Sequence, residues 1–311
     1  MRGGDQHLKL LEVVKKYIND CNKYFVAIQR FIFVIILLIF PLYGSLDKYN
    51  NLVFVVDIKG AADYESISNA VAEIKLKKLD KNIILIIAPG EYEEIVDLRE
   101  NTNIDVLFLR KDDTKLIDKS GIYINSPLML SGQNYIRNAN IVANHTNGGE
   151  ISFPYSYALH YDYLGEGTTI FENCRFESNQ NSAVGIGMHE NQTLIFNNCD
   201  FYSNSEYDGG TIYCHNSTDS GITNQKIILV YCRIVAEKGL ALKIDDANIG
   251  SGDGLGNQME IEFINCNFTS MTLGENCYSF TQTALGEATL SGNIKLSPES
   301  HGNNLEILNA K

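Results

Sequence analysis

The chain has 311 residues, 44% of them hydrophobic, and a formal net charge of −13 at pH 7. That length and apolar share provide for a sizeable core in one large domain or two, and the negative balance, with no basic stripe, sets nucleic acid aside as a partner. With 25 Gly, 5 Pro, no Trp and many Asn, Ile and Tyr, the composition favours a turn-rich β-structure over a helical one.

Residues 1–24 place Leu8, Leu11, Val14, Ile18 and Cys21 at helical spacing against Lys9, Glu12, Lys15 and Lys16, which predicts a short amphipathic helix. The apolar run Phe25 to Gly44 follows, interrupted by Gln29 and Arg30. It has the ~20-residue length that spans a bilayer. A membrane anchor is the expectation, with a signal segment and a buried helix as alternatives. The leader carries Asp5, Glu12 and Asp20 and no Ala-x-Ala site follows, which speaks against cleavage. Six basic residues precede Phe31, whereas the twenty residues after Gly44 hold only Lys48 and Lys59. That asymmetry puts the C-terminal part outside the cytoplasm, membrane-anchored or secreted. Asn144, Asn191, Asn216 and Asn267 open Asn-x-Ser/Thr triplets that weigh little in so Asn-rich a chain.

Residues 45–311 are read as a single domain. NLVFVVDIKGAADYESISNAVAEIK predicts a strand, a loop and an amphipathic helix from about Glu65 to Lys78, with its apolar stripe at Ile67, Ala70, Val71 and Ile74. IILIIAPGEYEEIVDL predicts a second strand running into a turn. IDVLFL, GIYI, LMLSG and YIRNANIVA supply further short strands.

One pattern then returns four times: TIFENCRFES, TLIFNNCDFYS, KIILVYCRIVA and MEIEFINCNFTS. Set on Cys174, Cys199, Cys232 and Cys266, the copies are 25, 33 and 34 residues apart. That is the length of a solenoid coil. Phe171, Phe196, Leu229 and Phe263 precede the cysteines by three, and Phe176, Phe201, Ile234 and Phe268 follow by two, so period two on either side of a bend points them inward. Asn173, Asn198, Tyr231 and Asn265 stand at the bend, an asparagine ladder with one rung replaced. Each coil buries its apolar face only against its neighbours, which predicts an all-β, right-handed parallel β-helix with an N-terminal capping helix. The cysteines show no Cys-x-x-Cys pair and are expected as buried thiols, although rungs ~4.8 Å apart do not by distance exclude a vertical disulfide.

The opening resembles that of the pectinesterases, a pectin lyase-like family. The residues that carry the resemblance are Asp57, Asp63, Tyr64, Ser66, Ile67, Ala70, Val71, Pro89, Gly90, Tyr92 and Glu94, and it continues to about Cys214. The family's chemistry, an Asp nucleophile, an Asp acid/base, glutamines for the oxyanion and an orienting arginine, implies roles for particular positions here. The resemblance places Gln180 on an oxyanion glutamine, Asn181 on the acid/base Asp, Tyr155 on a second glutamine, and Glu206, with Asp208 close by, on the nucleophile. Asn181 is an amide and exchanges no proton. The family's Leu-Gly-Arg-Pro-Trp segment is also missing. Gln180, Glu206 and Asp208 are the remaining catalytic candidates, for a divergent carbohydrate esterase or lyase. A lyase would need a basic residue, and Lys243 is the only lysine on the candidate strand. No dense Asp cluster suggests calcium, and Gly185 to Gly187 lies in a strand pattern without a following helix, so no cofactor is expected.

A second ladder is expected between the cysteine repeats. With Leu159, Met188, Cys214 and Ile244 set inward on one register, His160, His189, His215 and Asp245 point outward, with Tyr213 and Lys243 two residues earlier on their strands. This strip is the candidate ligand surface, for a polysaccharide or cell-surface glycan, with a weak metal site as a further reading and a ligand-free polar ladder as the plain one. The expected function is a membrane-tethered recognition module without pectinesterase catalysis.

Overall fold

The computed structural model describes residues 52–77, 82–99, 104–118, 126–144, 157–179, 181–204, 210–217, 224–245, 259–272, 278–280 and 288–290. The expected amphipathic helix and anchor, residues 1–24 and 25–44, lie outside them. Among the described residues no helix is long and apolar enough to cross a membrane.

Among the described residues, three parallel sheets of nine, seven and seven strands wrap one continuous core. A typical coil gives Gly167–Glu172 to the first sheet, Arg175–Ser178 to the second and Val184–Met188 to the third. Each strand pairs in parallel with its equivalent one coil on. The bend between the first and second sheets is what makes the repeat visible in sequence. One residue there takes a left-handed backbone: Asn138, Asn173, Asn198, Tyr231 and Asn265 have φ of 58°, 53°, 53°, 54° and 53°. Asn tolerates that region far better than other side chains bearing a Cβ. The ladder is real and one rung longer than expected. Asn198 Nδ2 donates to Asn173 Oδ1 at 3.4 Å, Asn173 Nδ2 to Asn138 Oδ1 at 2.8 Å, and Asn138 Nδ2 to the Phe108 carbonyl at 3.3 Å. Tyr231, whose phenol has no amide to continue the row, is 61% exposed.

Inside the bend the rungs stack as like on like. Phe171 stacks on Phe196 at 5.2 Å and Phe176 on Phe201 at 5.3 Å, while the two columns meet edge to face. Such pairs add to what burial alone contributes. Cys174, Cys199, Cys232 and Cys266 are buried free thiols. Each lies against a carbonyl of the previous coil, as Cys199 Sγ does with Phe171 O at 3.6 Å.

The helix Ile67–Lys77 buries Ile67, Ala70, Val71 and Ile74 over the open first coil. Its N-terminus is closed from a distance. The Glu94 carboxylate accepts from Ser66 Oγ at 2.6 Å, Ile67 N at 2.8 Å and Ser68 N at 2.9 Å, satisfying backbone donors that a helix start leaves unpaired. Buried Tyr92 donates to the Ala88 carbonyl at 2.9 Å and so fixes the turn that presents Glu94. The Gly-x-Tyr-x-Glu signature at Gly90 to Glu94 is thereby a capping device.

Candidate functional site

The third sheet carries the candidate strip. Its inward residues, among them Leu159, Tyr161, Val184, Ile186, Met188, Ile212, Cys214 and Leu242, are buried in the core, so His160, Asp162, Gly185, Gly187, Tyr213 and His215 take the outer positions. The parity expected from sequence holds, and the register needs correction. Leu159 lies beside Val184, Val184 beside Ile212 and Ile212 beside Leu242. One outer row is therefore His160, Gly185, Tyr213 and Lys243, and the next runs from Gly187 to His215 and Asp245. His160, His189, His215 and Asp245 do not form a single row. A slip of two residues, at His215 and Asp245, or of four, at His189, leaves alternation intact, so the hydrophobic pattern could not reveal it.

Two outer glycines make this face what it is. A Cβ on Gly185 would collide with the Tyr157 ring, and one on Gly187 with Asp162 and Ser217. Asp162, which directly follows the strand Leu159–Tyr161, drops into the space over Gly187. There it meets two imidazoles. His189 Nε2 is 3.0 Å from Asp162 Oδ1, and His215 Nε2 is 3.4 Å from Oδ2. Ser217 Oγ is 3.1 Å from His215 Nδ1. Burial acts to raise the Asp162 carboxyl, but hydrogen bonds from His189, His215 and Ser217 outweigh it and hold the group well below the usual carboxylate range. Asp162 is thus an anion at neutral pH.

The coil geometry is pinned by a buried glutamine. Gln192 Nε2 donates to the carbonyls of Tyr163 and Gly165 at 2.8 Å each, and its Oε1 accepts from His189 N at 2.9 Å. One side chain thereby ties the segment that carries Asp162 to the turn that carries His189.

Beside the cluster lies an aromatic patch. His160 packs between Tyr157 and Tyr163 with ring centroids 5.4 and 5.1 Å away, and Tyr163 OH is 3.1 Å from His160 Nδ1. Burial pushes the His160 imidazole down to about 4, so it is neutral at pH 7. The Arg99 guanidinium stands 4.4 Å from the Tyr163 ring centre and holds both oxygens of Asp97. Tyr213 and His215 continue the patch with ring centroids 5.3 Å apart.

The catalytic candidates Gln180, Glu206 and Asp208, and Tyr155, lie outside the described residues. Asn181 is described and is 1% exposed. Its Oδ1 accepts from Ser182 N at 2.8 Å, its N–H donates to Ser178 Oγ at 3.1 Å, and its carbonyl accepts from Ser203 Oγ at 2.8 Å. That is the role of a turn residue. Among the described residues no group of three His, Cys, Asp or Glu side chains is disposed to hold a metal ion. Asp162, Tyr157, Tyr163, Arg99 and Ser217 were not singled out from sequence. A glycine at two outer strand positions is the signal that marks them, since it denotes a close approach by something else.

With three parallel sheets, an asparagine bend and a capping helix in place, known structures are informative. A pectin methylesterase from carrot superposes with a TM-score of 0.53 at 13% identity, over 78% of this chain and 82% of that one. The chain has the pectin methylesterase fold. Pectin methylesterase PemA from Erwinia chrysanthemi gives a TM-score of 0.49 at 12% identity, over 81% of this chain and 92% of that one. A pectin methylesterase in complex with a hexasaccharide gives 0.44 at 14% identity, over 82% and 93%. No protein-family model matches the sequence, and no curated protein does either. At these identities the pectin methylesterase likeness is one of architecture, and function rests on the side chains of this chain's own third sheet.

Proposed function

We propose that this chain is a β-helix that recognises a polysaccharide through the outer face of its third sheet, and that it does so without pectinesterase catalysis. The observation that carries this reading is the half-buried strip of Tyr163 under Arg99 and Tyr213 beside Lys243, backed from beneath by the buried rings of Tyr157 and His160. A half-buried tyrosine presents an apolar ring face to the C–H side of a sugar and a polar tip to its hydroxyls. Asn181 supports the second half of the reading, because an amide built into a buried turn provides no proton donor. The alternative, a divergent hydrolase using Gln180, Glu206 and Asp208, draws on the sequence resemblance.

The proposal includes location: the β-helix lies outside the cytoplasm, membrane-anchored through residues 25–44 or secreted. The full chain, expressed whole, is expected to sediment with membranes and resist carbonate extraction. A soluble, uncleaved full-length chain would remove the anchor. Recognition is tested by affinity electrophoresis in polygalacturonate, methyl-esterified pectin and a neutral glucan, with the natural protein and with Tyr163→Ala. Retardation in at least one gel, weakened in the variant, is expected. Equal mobility in all gels, or an unchanged variant, would sink the reading, and release of methanol from pectin at enzymatic rates would promote the alternative.

A further inference from the structure

The cluster over Gly187 goes beyond binding. Its contacts restrict where the protons can sit. Asp162 offers only acceptors, so both His189 and His215 must present Nε2–H to it. A neutral His215 in that tautomer has a bare Nδ1 facing the Ser217 hydroxyl, 3.1 Å away, and the single hydroxyl proton is shared between this nitrogen and Asp162. A hydroxyl, an imidazole facing it with a bare nitrogen, and an ionised carboxylate behind the imidazole define a nucleophile-activating relay, which is recognised by geometry and not by chain order. His189 on the other carboxylate oxygen, and Gln192 holding both supporting segments, keep Asp162 from turning away. The histidine and carboxylate are neither sealed nor solvent-washed: the side chains of His189, His215 and Asp162 are 16%, 17% and 22% exposed.

We propose that Ser217, His215 and Asp162 form a serine-type hydrolytic centre for short-chain acyl esters, with Ser217 as nucleophile, His215 as base and acid, and Asp162 and His189 as positioning residues. Ser217 Oγ attacks the acyl carbonyl carbon while its proton passes to His215 Nδ1, and Asp162 stabilises the imidazolium. The tetrahedral adduct collapses, the ester C–O bond breaks, and the leaving alcohol takes the proton back from His215. Water, deprotonated by the same nitrogen, then attacks the acyl-Ser217 and releases the acid. The balance is ester plus water to acid plus alcohol, with no redox partner. The acyl group is small because Ser217 Oγ and Asp162 together fill the space above Gly187. That the alcohol is a sugar hydroxyl rests on the polysaccharide reading above, since half-buried Tyr213 and Tyr163 flank the centre.

The test is labelling of the full chain with a fluorophosphonate, read by intact mass and peptide mapping, alongside hydrolysis of p-nitrophenyl acetate. A single adduct on Ser217 is expected, absent in Ser217→Ala and slower by roughly 100-fold or more in His215→Asn, the scale of a lost general base. Ser217→Cys keeps a nucleophile should the alanine variant misfold, and its alkylation by iodoacetamide is expected to slow on adding His215→Asn. An adduct elsewhere, no adduct, a rate indifferent to His215, or labelling without acetate ester turnover overturns the proposal. Retardation of the natural protein in polysaccharide gels is read in parallel. No hydrolysis by the natural protein, with retardation retained, fails this centre alone, and hydrolysis without retardation fails only the polysaccharide reading.

Discussion

Gly187 leaves room for Asp162: a Cβ at the glycine would occupy the space of the carboxylate. Neither residue's role is intelligible without the other, because the carboxylate reaches His189 and His215 only by lying flat on the strand at that point.

Gly187→Ala is therefore expected to expel Asp162. Overpacking of this kind costs about 1–3 kcal/mol, measured by urea unfolding, and both imidazoles should lose their partner, seen as changed chemical shifts of two histidine ring signals by NMR. Gly185→Ala displaces Tyr157 instead and should leave those two signals in place. Identical spectra for Gly187→Ala and the natural protein would show that the glycine is not needed for the cluster.

Stability is expected to depend on His160 in mild acid. Its folded value of about 4 lies below the ordinary 6.5 because burial disfavours the cation. The folded state thus binds fewer protons than the unfolded chain between these limits. Above the unfolded value the imidazole is neutral in both states and costs nothing. As pH falls through the window from 6.5 to about 4, stability drops by about 3 kcal/mol. Urea midpoints taken across that range should fall, and His160→Gln should flatten the slope. A natural protein with no slope there would contradict burial of a neutral imidazole.

The cysteine column is expected to resist thiol reagents. Burial raises Cys199 and Cys232 well above an ordinary thiol, so the reactive thiolate is scarce. Cys199→Ser is expected to cost only about 1 kcal/mol, because its hydroxyl inherits the carbonyls of Phe171 and Asn197 that the thiol now faces. Cys199→Ala, read by the same urea curves, removes that donor and leaves a small void. Fast modification of native Cys174, Cys199, Cys232 and Cys266 would rule out the packing.

What the sequence revealed and what it hid follow from the same coil. Around the asparagine bend, two short strands flank a fixed turn, so cysteine spacing aligns Phe171 with Phe196, Leu229 and Phe263 without ambiguity. The third sheet is reached through connections of unequal length, and alignment by residue type set His160 against His189. The step from Cys174 to Cys199 is 25 residues, and His160 to Gly185 is the same 25. The match ends there: the next cysteine steps are 33 and 34 residues, whereas Gly185, Tyr213 and Lys243 are 28 and 30 apart. Asp162 stayed hidden because a single Asp after a strand has no periodicity, and only the coil brings it between two histidines.

Asn181→Asp is the change that the pectinesterase resemblance invites, and it is not expected to create catalysis. The side chain is 1% exposed, with Oδ1 accepting from Ser182 N and Nδ2 left without a partner. An aspartate keeps the first contact and places its second oxygen where no donor stands, so the carboxylate is desolvated and its folded pKa rises above the unfolded value of about 3.9. Such a group costs stability once the unfolded chain ionises and the folded one resists. The variant should match the natural protein near pH 3 and fall behind it as pH rises, by roughly 1–3 kcal/mol at neutrality. Paired urea curves at the two pH values check the sign, and methanol release from pectin checks the chemistry. A variant that gains methylesterase activity, or is as stable as its parent at pH 7, would mean that residue 181 faces the groove after all.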